Sequence, residues 1–450
     1  MAPPGSDPYT KRQSPSYILE NVELWTESGV QPRTQLWVEN GRLKALGSRV
    51  GVPADRATSS LPSSVERIDL QGKVLMPSGV DAQTHLRVPG QSHKETPETG
   101  LLAALKGGYA AVLTMPNTQP TIDSTEVLRA GQDEVYPFEK EFGVHVFWSA
   151  AITKRLNSDE LVDFESLVRA GVRAFTNDGL GVASDAVMDR AFTCLESLGV
   201  PLLQHAEVPG HGGALAPGPI QQKTGARPYP DEPEWKMVER DVRELARHKR
   251  ARYHVLHVSS RRTLDFVRNA RKEGLHVTAE VTPHHLFFCT ETLDASNTSF
   301  KMNPPIRSRA DQDALWTALA DGELDFVATD HAPHEKLMKT GDFNQVAFGT
   351  LGLETTMGVL VHGWKTGKLT PERLVQVWTT RPAEFLRLPA GFGRFTLDAP
   401  FHAVWVDVHS PERIYTEGEI SSLSKNSCFI GSKLPGRILG AFHEQSVFSF

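Results

Sequence analysis

Cysteine is scarce in this chain. Cys194, Cys289 and Cys428 are the only three among 450 residues, and no two form a CxxC pair. That spacing excludes a disulfide framework and a cysteine zinc knuckle, and it fits a reducing compartment. Long apolar runs are missing too: no stretch approaches the ~18 residues a membrane span needs. The opening Met-Ala-Pro-Pro-Gly-Ser-Asp lacks the basic start and apolar run of a secretory signal. A cytoplasmic protein with no membrane partner is expected. A strong excess of one charge is also absent, since 48 basic and 54 acidic residues leave a net charge of -6. A nucleic-acid partner calls for a clustered basic excess, so none is expected. Neither a GxxxxGK[ST] loop nor a strand-linked GxGxxG occurs. Gly210-His211-Gly212-Gly213 reads as loop backbone, and Ser259-Ser260 lacks the GxSxG setting of an activated serine.

What is present is a rhythm. Residues 1–16 are polar and rich in Pro, Gly and Ser, as in a flexible tail. Residues 17–73 alternate in short runs, with an Asn40-Gly41 turn typical of a hairpin. From Val74 to Leu388 strand-like and amphipathic helical stretches alternate about eight times. The strand-like runs begin near Val74, Ala110, Val144, Val172, Val200, Tyr253, His276 and Leu324. Such repetition implies a parallel sheet closed into a TIM-type (β/α)8 barrel, the alternative being an open doubly wound sheet. Residues 389–450 return to strand text, so both chain ends are expected to build one small β-sandwich domain. The Pro- and Gly-rich insertion between Val208 and Trp235 reads as a loop over the barrel mouth.

The chemistry lies at the ends of those strands. They run into Gln83-Thr84-His85-Leu86-Arg87, Met115-Pro116-Asn117, Asn177-Asp178-Gly179, Gln204-His205-Ala206-Glu207, His257-Val258-Ser259, Thr282-Pro283-His284-His285 and Thr329-Asp330-His331-Ala332-Pro333-His334. A barrel gathers such ends around one mouth. His85, His205 and His257 each follow an apolar run at a similar phase, and with two carboxylates they form a donor set suited to zinc or a similar metal. Asp330 closes the last strand and reads as a ligand with a proton-transfer role. His145, His254 and His276 fall inside strands and read as core or barrel-wall residues.

Five fragments in this order carry a family resemblance. DAQTHLRVPG (residues 81–90), TMPNT (114–118), TNDG (176–179), MNPP (302–305) and ATDHAPH (328–334) together resemble the bacterial type I dihydroorotases of the amidohydrolase superfamily. The likeness continues through Gly352-Leu353-Glu354-Thr355 to Ser424-Lys425-Asn426-Ser427. It implies reversible cyclisation of N-carbamoyl-L-aspartate to L-dihydroorotate, a step of pyrimidine biosynthesis, with one or two Zn2+ ions. His85, Asp178, His205, His257 and Asp330 match metal ligands, and Asp330 also matches the proton shuttle. Arg87, Asn117 and His334 match the groups that hold the substrate carboxylate, and Asn303 matches a ring contact. A small-molecule substrate and a homodimer are implied, with aspartate transcarbamoylase as a candidate partner.

One departure stands out. The family's first His of His-x-His is Gln83 here, and a neutral amide oxygen is a weaker zinc ligand than imidazole. The alternatives are a non-catalytic dihydroorotase-like subunit supporting aspartate transcarbamoylase, and a related cyclic amidohydrolase (allantoinase or dihydropyrimidinase). Substrates of the latter lack the carboxylate that Arg87 and Asn117 would bind. Those enzymes also commonly bridge their metals with a carboxylated lysine, where Asp178 stands here.

Overall fold

Eight parallel strands, each followed by a helix, form a barrel. The structure, a computed structural model, describes residues 9–48, 50 and 65–450. The strands are β1 (Gly79–Thr84), β2 (Tyr109–Thr114), β3 (His145–Ala150), β4 (Val172–Thr176), β5 (Leu202–Gln204), β6 (Tyr253–Val255), β7 (Val277–Val281) and β8 (Phe326–Val327). Each pairs with the next in parallel. The ring closes from β1 to the end of β8 through a single bridge, Thr84 to His331. Asp81 reinforces that seam: it accepts from the Thr329 backbone N–H at 2.8 Å and the Thr329 hydroxyl at 2.6 Å.

The helices start and stop where the side chains dictate. Ser124, Ser184 and Ser308 each accept a backbone N–H at the start of helices Thr125–Phe142, Asp185–Leu198 and Arg309–Asp321. Such a cap contributes about 1 kcal/mol over alanine. The same three helices end at Gly143, Gly199 and Gly322 in the left-handed conformation. Val80, Ala82, Leu113, Ala174, Leu203, Leu256 and Phe326 fill the barrel, while Val112, Trp148 and Val255 face the helices.

Both chain ends build a second sheet of nine strands. Its order is 10–13, 446–449, 437–443, 402–407, 74–77, 16–26, 29–39 and 42–47, with 66–69 paired to 16–26. The sheet carries its own core, where Tyr17 stacks on Phe442 at 5.4 Å and clusters with Leu36, Leu75 and Phe401.

Three sequence expectations shift. Val74–Pro77, taken as the first barrel strand, pairs with His402–Asp407 in the terminal sheet, and the barrel begins at Gly79. Both runs are wholly buried, so hydrophobicity alone cannot divide them. Within the expected 1–16 tail, Thr10–Gln13 forms a strand against Ser446–Ser449. All four of its side chains are exposed, and backbone pairing is joined at the surface by Arg12 on Glu66, Lys11 on the Glu141 carbonyl and Gln13 on Ser446. Residues 1–8, and 49 and 51–64 of the expected small domain, lie outside the described residues. Part of the expected C-terminal β segment packs on the barrel instead: Asn426 bonds the Ala332 carbonyl at 2.9 Å and accepts from His334 N at 3.0 Å.

Among the described residues no helix is long and apolar enough to cross a membrane.

Candidate metal centre and substrate pocket

Six strands deliver polar side chains to one end of the barrel. His85, Asn117, Asp178, His205, His257 and Asp330 follow β1, β2, β4, β5, β6 and β8 within three residues. They line a cavity of about 280 Å³ together with Arg87, Asn303, His334, Phe348 and Gly349. That size suits a small molecule and sits near the ~300 Å³ lower end of ligand pockets. Every residue read from the sequence as ligand or substrate contact lines it, except Gln83, which lies wholly buried beneath.

Backbone strain collects here. Arg87 (φ 61°), His257 (φ 35°) and Asp330 (φ 45°) are held in the left-handed region, which costs an L residue about 1–3 kcal/mol. Gly90 (φ 84°) permits the turn behind Arg87: a Cβ there would stand 1.6 Å from the Gln119 carbonyl oxygen.

Two ligand groups share one carboxylate. Asp178, His205 and His257 form one, and His85, Asp178 and Asp330 the other; in each, the ligand atoms lie within 4.8 Å of one another. His205 Nδ1 is 3.0 Å from His257 Nε2 and 3.5 Å from Asp178 Oδ1. His85 Nε2 is 3.0 Å from Asp330 Oδ1 and 3.1 Å from Asp178 Oδ2. Burial works against the Asp178 charge, but hydrogen bonds from His205, His257 and His85 hold its carboxyl well below the usual carboxylate range. Burial and Arg87 push the His85 imidazole down, yet Asp178 and Asp330 outweigh them and raise it to about 9. Against the same burial, Asp178 and Glu207 raise His205 to about 10.

These groups fit a divalent cation. Three buried imidazoles and two carboxylates converge, and Asp178 Oδ2 has no aligned hydrogen-bond donor. A consequence is pH-dependent metal affinity. Below about pH 9 a cation must displace protons from His85 and His205, whereas Asp178 is already ionised. Apparent affinity should therefore rise with pH across neutrality, about tenfold per pH unit for each proton released. Competition titrations with a chelating dye at several pH values will measure that slope; a flat profile contradicts it.

The family model described as Dihydro-orotase-like matches residues 72–263. The dihydroorotase of Listeria innocua is 36% identical over 436 residues, covering 95% of this chain and 97% of that protein. That of Brevibacillus brevis is 37% identical over 429 residues, covering 92% and 94%. The chain belongs to the dihydroorotase family. Among solved structures, the L-hydantoinase (dihydropyrimidinase) from Arthrobacter aurescens superposes with a TM-score of 0.82 at 21% identity, covering 96% of this chain and 95% of that one. The dihydropyrimidinase from Brevibacillus agri gives 0.79 at 20%, covering 96% and 94%. These two share the barrel fold.

Against the dihydroorotase pattern, the amide-bearing positions hold several surprises. The Gln83 Nε2 lies 3.4 Å from Asp178 Oδ1, and its Oε1 has no partner. As placed, Gln83 donates to the shared carboxylate, and a ligand role requires its amide to turn. Gln83→His should increase metal occupancy at the His85 side, read as metal per chain at limiting zinc; unchanged occupancy would show that this position does not govern binding. Asn117 Oδ1 is 2.9 Å from His85 Nδ1, and its Nδ2 donates to the Asp178 carbonyl at 3.3 Å. It thereby orients the His85 imidazole in addition to facing the pocket. Asn303 donates to Glu207 at 2.7 Å and accepts from the Tyr229 hydroxyl at 2.9 Å.

Sequence reading assigned no role to Glu207, Tyr229, Glu95 or His331. Glu207 Oε2 lies 3.3 Å from His205 Nε2, so it holds that ring from behind. Glu95 Oε2 stands 3.6 Å from His331 Nε2, beside the barrel seam. Glu207 was visible two residues after His205, but Glu95 and Tyr229 lie on excursions between strands and carry no spacing signal. His284 and His285 are buried in the short helix Pro283–Phe287 and line no part of the cavity. His254 pairs with Glu280 at 3.1 Å inside the barrel, and burial lowers it to about 3.

Proposed function

We propose that this chain catalyses the reversible interconversion of L-dihydroorotate and N-carbamoyl-L-aspartate, with one or two zinc ions held by His85, Asp178, His205, His257 and Asp330. Arg87 carries the reading. Its guanidinium is buried (6% exposed), and its hydrogen bonds go to the Pro333 carbonyl and His334 Nε2, both at 3.3 Å. No carboxylate lies within ion-pair distance of it among the described residues. Burial lowers Arg87 to about 10, so it is still a cation at neutral pH. A buried cation without a direct counter-ion is costly, and a substrate carboxylate removes that cost. Burial and Arg87 push His334 down to about 2, so its neutral ring accepts from Arg87 at Nε2 and keeps its proton on Nδ1, which has no partner.

When bound, the cation polarises the ring carbonyl and lowers the pKa of water. Arg87 and His334 hold the free carboxylate, which fixes the ring with its amide bond toward Asp330. Asp330 takes the proton from the attacking water and delivers it to the ring nitrogen as the C–N bond breaks. Cyclisation runs the same proton transfers backwards. Glu207 and Asn117 hold the His205 and His85 rings in place throughout.

Side-by-side assays with L-dihydroorotate, hydantoin and allantoin test the reading. Turnover of dihydroorotate well above the two rings that lack a carboxylate is expected; preference for either of those rings would overturn it.

A further inference from the structure

Metal-ligating residues also meet at the far end of the barrel. The ligands above follow the C-terminal ends of parallel strands, whereas His145 is the first residue of β3 and so lies at the opposite end. There it meets His402, the first residue of strand His402–Asp407, and Glu444, in the turn between strands Arg437–His443 and Ser446–Ser449. One ligand atom from each lies within 4.8 Å of the others. His145 Nε2 stands 3.9 Å from Glu444 Oε1.

His402 is the anomaly. It is buried (3% exposed), and neither ring nitrogen has a hydrogen-bond partner. Its ring lies flat on Phe392 at 4.9 Å and meets His145 edge-on at 5.6 Å. A phenylalanine would make the same stack without burying an N–H and a lone pair, both of which need partners. The adjacent His443 differs: Nδ1 bonds the Phe142 carbonyl at 3.1 Å, and Nε2 lies 3.4 Å from the Ser78 hydroxyl. Burial lowers both His145 and His402, so their lone pairs are free of protons at neutral pH. His145 is half-buried and Glu444 exposed, which leaves an entry path from solvent.

We propose that His145, His402 and Glu444 form a second divalent-metal site, for zinc or a similar borderline cation, that clasps the barrel to the terminal sheet. Two imidazole nitrogens and a carboxylate oxygen supply three ligands, with water completing a tetrahedron. The three residues come from segments far apart in sequence, so a shared ion ties the start of β3 to two strands of the other domain. This site does not depend on the reaction assigned to the barrel mouth.

The test compares the full-length protein with His145→Ala, Glu444→Gln and His402→Phe after equilibration with zinc and removal of free ion. Each variant is expected to carry one fewer zinc per chain, to keep its dihydroorotate turnover, and to show a smaller rise in Tm on zinc addition than the wild type. Under chelation His402→Phe should melt at or above the wild-type temperature, because it removes two unpartnered nitrogens. Should His145→Ala fail to fold, the Glu444→Gln comparison decides. Wild-type zinc content and wild-type zinc response in the variants that fold would overturn the proposal.

Discussion

Replacing Asp330 by asparagine is expected to lower kcat for dihydroorotate hydrolysis by about 10²–10⁴-fold, the range of a lost general acid–base. The substitution is nearly isosteric and keeps an oxygen where Oδ1 now stands 3.0 Å from His85 Nε2. What asparagine cannot do is take a proton from water and return it to the ring nitrogen. Asp330 lies three residues past β8 with φ 45°, a conformation that asparagine tolerates better than most residues. The fold should therefore persist. Metal content measured on the same sample separates the two roles of this side chain. Lost turnover with retained metal supports the proton role; near-normal turnover in a folded variant contradicts it.

Arg87→Lys should lower kcat/KM for dihydroorotate by about 10²–10³-fold while leaving metal content unchanged. The change keeps the charge and removes the planar fork that grips a carboxylate at two points. Truncating one partner of a buried charged pair costs about 2–5 kcal/mol, and a loss of 10²–10³-fold, about 2.7–4.1 kcal/mol, falls within that span. A protonated guanidinium offers no lone pair to a cation, so metal binding should be untouched. The preference for dihydroorotate over uncharged rings should fall with it. A variant with ordinary KM and unaltered preference would move carboxylate recognition elsewhere in the pocket.

The barrel was legible because its signal is local and repeated. Strand, loop and helix recur, and each strand end carries a polar residue at a similar phase, so His85, His205, His257 and Asp330 could be linked before any contact was known. The errors fall where local text is ambiguous. Val74–Pro77 and Gly79–Thr84 are consecutive buried runs interrupted only by Ser78, and pairing with His402–Asp407 decides which sheet takes the first. Thr10–Gln13 carries no apolar pattern, because it buries no side chain and is held by backbone pairing and surface polar contacts. Glu95 was invisible for another reason: it is fixed by Ser422 and the Leu423 N–H, more than 300 residues away. The lone His402 also gave no signal, since only burial shows that its nitrogens lack partners.

The insertion expected over the mouth does reach the site, through Tyr229 on Asn303. It also touches the segment between His334 and Gly349, where Arg227 N donates to Asn344 at 2.7 Å. Lys339 pins that segment by donating to the Lys301 and Ala347 carbonyls at 2.9 and 2.8 Å.

Metal dependence is tested most directly by metal content and dihydroorotate turnover measured together on one preparation, before chelation, after it, and after zinc is returned. Turnover should fall in step with the metal and recover with it. Full turnover in protein stripped of metal, or none in protein with the site filled, would contradict it.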